Sequence, residues 1–184
     1  MKTTHFQSIL VLLIFLSAMA CSKNDDSAKP GGGLGEGNLT VSGAVEGKFS
    51  GMADFELGEY SSSRIFDISI HDFNPQTFSL SIQSLGITDE IEIPGPGTYT
   101  IGTFPHADFH ANFTRIIDED FVNATEYSTF FAEEEGSGTL TITSSDGKTM
   151  KGSFEFVAHE IDDDEVLIGS VTIKGEFTAN KRIH

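Results

Sequence analysis

From about Asn38 to the end of the chain, apolar and polar residues alternate with a period of two. The pattern is clearest in Phe66-Ile68-Ile70, Phe78-Leu80-Ile82, Phe109-Ala111-Phe113, Leu140-Ile142, Phe154-Phe156-Ala158 and Val171-Ile173 followed by Phe177. Successive side chains of a strand point to opposite faces, so this alternation predicts strands with one buried and one wet face. Thr, Ser, Ile and Phe dominate the runs and suit a pleated, half-buried surface. The runs recur about every ten residues with polar turns between them, which predicts an all-β domain, an antiparallel β-sandwich or barrel of about eight to ten strands. Helical spacing is absent apart from a possible turn around Asp118 to Glu126.

The clearest hairpin runs from Gly138 to Phe156, where Asp146-Gly147 supplies the positive-φ turn residues between two alternating runs. A third strand, Gly169 to Thr178, follows the acidic loop at Asp162 to Glu165 and is expected to pair with the second strand of that hairpin.

The N-terminus reads differently. Lys2 precedes an apolar core from Ile9 to Leu16, then the small-residue stretch Ser17-Ala18-Met19-Ala20, then Cys21. Charged, apolar and small-residue regions in that order are those of a secretory signal peptide, here residues 1–20. The apolar core falls well short of the roughly 18 residues a spanning helix needs. The segment ending in Ala20-Cys21 resembles a lipobox, in which the cysteine thiol is acylated before the leader is cut away. Cys21 is the only cysteine of the 184 residues, so an internal disulfide cannot form. A lone cysteine directly after an export signal is expected to be the lipidation site and to hold the protein to the membrane. Residues 21–37 then form a lipidated N-terminus and a Gly-rich linker, with Pro30 and the run Gly31 to Gly37. Residues 38–184 form a single domain, long enough to bury a core without disulfides.

Two short motifs follow the anchor. Cys21-Ser22-Lys23-Asn24-Asp25-Asp26 resembles the surface-export signal of Bacteroidota lipoproteins, with Lys23, Asp25 and Asp26 as its charged residues. Asp26-Ser27-Ala28 resembles the O-glycosylation signal of the same phylum, with Ser27 as the acceptor. Further on, Pro96-Gly97-Thr98-Tyr99 and the strands around Gly138-Thr139-Leu140 and Gly152-Ser153-Phe154-Glu155-Phe156 resemble uncharacterised all-β surface lipoproteins of Bacteroidota. That resemblance implies an outer-membrane, lipid-anchored location at the cell surface and supplies no catalytic residues.

Charge narrows the partners. The formal net charge is −17 and becomes one unit more negative when Lys2 is lost with the leader. Such an acidic surface repels nucleic-acid phosphates and anionic headgroups, so no nucleic acid is expected and the membrane is met only through the lipid on Cys21.

Candidate chemistry is sparse. Gly147-Lys148-Thr149 matches the end of a phosphate-binding loop, but Ile142 stands where that loop needs glycine, and the motif sits in a hairpin turn. His106, Asp108 and His110 share one face by their period of two, opposite to Phe109, Ala111 and Phe113, which places them on the solvent side of a strand. Three ligands fall short of a structural zinc set. The acidic runs Asp118 to Asp120, Glu133 to Glu135 and Asp162 to Glu165 lack the spacing of a calcium loop. Tyr60, Tyr99 and Tyr127 are the aromatic platforms available for a sugar in a chain without Trp. No catalytic residue, metal or cofactor is assigned. The expectation is a non-enzymatic binding module for an unidentified extracellular ligand, glycan or protein, with a carboxylate-based hydrolase such as a glycosidase as the alternative.

Overall fold

The computed structural model describes residues 35–60, 63–73, 75–86, 91–103, 106–118, 120–130, 137–162, 164 and 166–183. Among these residues there is no helix, and ten strands follow in order: β1 (Gly35–Gly43), β2 (Gly47–Tyr60), β3 (Ser63–His71), β4 (Phe78–Gly86), β5 (Gly97–Ile101), β6 (His110–Ile117), β7 (Asp120–Ser128), β8 (Gly138–Ser145), β9 (Thr149–Ile161) and β10 (Leu167–Lys181). The domain is all-β, as the alternation predicts.

All ten strands belong to one sheet that closes on itself. Antiparallel pairing runs β2-β3-β4-β6-β7, passes to β9 through Ser128 and His159, and returns by β10. Strand β1 pairs with both β10 and β2 and completes the ring. Below the start of β1, β10 meets β2 directly in a short parallel pairing at Asn180 and Asp54. The ring has two routes between β6 and β9. One is β7; the other is β5 and β8, joined to β6 by a bridge between Ile101 and Phe109. The hairpin and the third strand expected from the C-terminal sequence are β8, β9 and β10, with Gly147 at φ 79° in the turn.

The inward face is apolar throughout. Every residue of the alternating runs quoted above, from Phe66 to Phe177, is buried in one continuous core. Burying each Phe, Leu or Ile contributes about 1.5–3 kcal/mol. Aromatic rings fill the centre: Phe49 lies 5.2 Å from Phe78 and 5.7 Å from Phe113, and Phe113 lies 6.3 Å from Tyr127, between ring centroids. The Arg115 guanidinium caps this group 5.3 Å above the Phe49 ring.

Two expectations are corrected. The domain begins at Gly35, so Gly35 to Gly37 are strand residues and not linker. The lack of a side chain at Gly35 and Gly37 is a packing requirement, because a Cβ on Gly35 would strike the Thr178 carbonyl and one on Gly37 would stand 2.6 Å from Ile70 Cγ2. The segment Asp118 to Glu126 is the β6–β7 hairpin and not a helical turn. Asp118 turns the chain at φ 55°, a conformation that ends any helix, and Thr125 to Ser128 pair back onto β6.

Candidate functional site

The outward face of the ring carries a belt of small polar side chains. Asp54 (β2), Ser69 (β3), Ser81 (β4), Asn112 (β6), Ser128 (β7), His159 (β9) and Ser170 (β10) each stand directly opposite the next. A second row of cross-strand neighbours runs beside it: Glu56, Asp67, Gln83 and His110. Strand period places these residues opposite to the core positions. Small Ser and Asn side chains let neighbouring groups close over one another, and the outward-facing Asp54, Asp67, His110 and Ser128 are all buried.

Burial makes hydrogen bonding compulsory for such groups, and the belt is wired accordingly. The Asp67 carboxylate accepts hydrogen bonds from the hydroxyls of Ser69 (2.5 Å) and Ser81 (2.6 Å). Ser128 donates to Asn112 Oδ1 at 2.6 Å, and His159 Nδ1 lies 2.9 Å from Ser170 Oγ. Arg182 closes the belt beside β2, where it hydrogen-bonds Asp54 and pairs with Glu56 at 2.7 Å. Among the described residues no buried side-chain nitrogen or oxygen lacks a partner.

No protein-family model matches the chain, and no curated protein or solved structure does either.

Electrostatics distinguishes two histidines. Burial lowers the pKa of His110 below its ordinary 6.5, with the Asp67 charge pulling the other way. Burial also lowers His71, which Arg182 pushes in the same direction while Asp54, Asp72 and Asp67 oppose it. Both rings are therefore held toward the neutral form. The donors and acceptors of the belt are spent on one another, which ties neighbouring strands of the ring together.

The residues singled out from sequence fall in several places. Cys21, Lys23, Asp25, Asp26 and Ser27 lie outside the described residues, as do Glu133 to Glu135. His106, Asp108 and His110 do not share a strand face. His106 is in an exposed turn, its N–H donating to Thr103 O. The Asp108 carboxylate ties β5 by accepting from the Thr100 N–H (2.7 Å) and hydroxyl (2.8 Å). His110 alone starts a strand, and it is buried where solvent exposure was expected. Among the described residues no three His, Cys, Asp or Glu side chains are grouped to hold a metal ion.

Neither Tyr99 nor Tyr127 is a platform. Tyr99 is half-buried edge-on to Phe109 and donates to Gly95 O at 2.8 Å. Tyr127 is in the core, and burial, with the neighbouring Glu160 carboxylate, pushes its phenol up. Only the backbone of Tyr60 is described, at the end of β2. Lys148 and Thr149 sit in the β8–β9 turn, where their N–H groups donate to Asp146 Oδ1.

Sequence reading passed over the belt. Its signal was the polar half of the alternation itself, in which Ser69, Ser81, Asn112, Ser128 and Ser170 are small where a solvated face more often carries Lys and Glu.

Proposed function

We propose that the chain is a lipoprotein anchored in the outer membrane by acyl groups on Cys21 and exposed at the cell surface. Its β domain acts there as a non-enzymatic binding module for an extracellular ligand, glycan or protein. The observation that carries this reading is the position of the single cysteine directly after an export-type segment. One acyl chain holds a protein only marginally, at about 0.8 kcal/mol per buried CH2, so anchoring through Cys21 requires several chains on that residue. The resemblance to Bacteroidota surface lipoproteins supports the same address. The closed ring supports a binding role for the exterior, since core side chains fill the inside and leave the outer surface and the turns to meet a partner.

Lys23, Asp25 and Asp26 are proposed as the surface address and Ser27 as a glycan acceptor. The test is protease treatment of whole cells carrying Lys23→Ala, Asp25→Ala and Asp26→Ala together. Retained lipidation with lost cleavage supports the address, since a surface-exposed tether is open to the protease and a periplasmic one is shielded. Cleavage equal to the parent removes it.

A further inference from the structure

The turns at the rim opposite Gly35 share one construction. In the β3–β4 turn, Asp72 Oδ1 accepts from the N–H groups of Thr77 (2.8 Å) and Phe78 (3.0 Å), while Oδ2 accepts from the Thr77 hydroxyl (2.5 Å). In the β6–β7 turn, the Asp120 carboxylate accepts from the Val122 N–H (3.0 Å) and the Asn123 amide (2.6 Å). In the β9–β10 turn, Asp162 Oδ1 accepts from the N–H groups of Asp164 (3.0 Å) and Val166 (2.9 Å). Aspartate side chains that bond the backbone a few residues on fix a turn in one conformation.

Each fixed turn displays an apolar residue. Phe73 and Val166 are more than half exposed, and Val122 is 91% exposed. Phe73 is further pinned edge-on to His71, 4.5 Å between ring centroids. Two register irregularities extend the display. Leu167 pairs with Ile161 and Gly169 with Glu160, so Ile168 is an extra residue. The bulge turns both Leu167 and Ile168 outward, each 58% exposed, where regular alternation would send one of them inward. At the end of β6 the register shifts between Arg115 and Ile117, and Ile117 is also exposed.

The charged side chains carried by these turns are acidic, and the Arg115 guanidinium that reaches them is spent on the carbonyls of Thr77 and Ile116. Glu46, Asp118, Asp120, Asp162 and Asp164 lie in or beside the turns, and segments 44–46, 72–77, 117–122 and 162–168 contain no Lys or Arg. Val166, Leu167 and Ile168 are three successive exposed aliphatic residues, and an exposed apolar patch rimmed by polar groups marks an interaction surface. The carboxylates around them repel anionic headgroups and also repel a second copy of the same rim. We propose that this rim is a docking surface for a protein partner that presents apolar side chains flanked by Lys and Arg. The proposal deepens the binding-module reading and rests on it. The chain enters the ring at Gly35, on the opposite side, so the rim is the end farther from the point of attachment.

The test is fluorescence anisotropy of a labelled amphipathic Leu/Lys peptide titrated with the full chain in zwitterionic nanodiscs at physiological salt. Leu167→Ser with Ile168→Ser is expected to weaken binding at least about tenfold, as loss of interface anchors does. Val122→Ser alone, at the most exposed of the six positions, is expected to weaken it measurably with an unchanged melting temperature. A Leu/Glu peptide is expected not to bind. Unchanged affinity in these variants, binding of the Leu/Glu peptide, adsorption to anionic vesicles or self-association that depends on Leu167 and Ile168 would each overturn the proposal. Intact mass of the nanodisc sample reads acylation of Cys21 separately from peptide binding, so failure here is distinct from failure of the anchor reading.

Discussion

The guanidinium of Arg182 hydrogen-bonds the carboxylate of Asp54, a residue 128 positions earlier, at the place where β10 runs parallel to β2. Asp54 is only 2% exposed, so its charge is tolerated because Arg182 neutralises it. Removing one partner of a buried pair leaves an uncompensated charge, at a cost of about 3–5 kcal/mol when both are buried. Arg182 is about one-third exposed and water can partly replace it, so Arg182→Ala is expected to cost about 2 kcal/mol. Asp54→Asn in the same chain should restore much of that loss. Urea denaturation of the two single variants and the double variant measures it; additive losses would separate the two residues energetically.

Acid should destabilise the domain in two stages. Burial depresses the folded pKa of His71 and His110 below 6.5, so the unfolded chain takes up protons first as pH falls through about 6.5. Stability is full above that value and declines below it. Asp120 is held below its usual 3.8 chiefly by the Asn123 amide, and Asp146 by the backbone N–H groups of Thr149 and Lys148. Their contribution is present above pH 3.8 and is lost only below it. Melting temperature measured from pH 8 to pH 3 should show the first decline, and His110→Gln should shrink it. A flat profile between pH 7 and 5 would contradict the burial of these histidines.

The start of the domain can be tested at Gly37. A methyl group there meets Ile70 Cγ2 at 2.6 Å, and Ile70 is fully buried. Gly37→Ala is expected to cost about 1–3 kcal/mol, the usual range for overpacking a core. Thermal melts decide between a strand glycine and a linker glycine, because a linker position would tolerate alanine without loss.

The strands were legible in the sequence because each has one core face, and the period of Phe66-Ile68-Ile70 and its counterparts is a direct consequence of that burial. The choice between a sandwich and a closed ring was not legible. It depends on long-range register, such as Ser128 against His159, which leaves no local pattern. Gly35 to Gly37 read as linker because glycine composition looks the same whether the chain needs freedom or needs close approach. The burial of His110 and Asp54 was equally hidden, since parity gives the face of a residue and not what folds over it. Two of the turns at the far rim were visible as the acidic runs Asp118 to Asp120 and Asp162 to Glu165, but the turn after Asp72 was not, and the side-chain bonds of Asp72, Asp120 and Asp162 appear only in three dimensions.

The account as a whole depends on Cys21. Intact mass spectrometry of the native protein extracted from membranes tests it most directly. The account predicts a chain that begins at Cys21, lacks residues 1–20 and carries the added mass of two or more acyl groups, with Cys21→Ser yielding either an uncut precursor or a protein released from the membrane. A membrane-bound chain that retains Met1, or one whose Cys21 is an unmodified thiol, would contradict it.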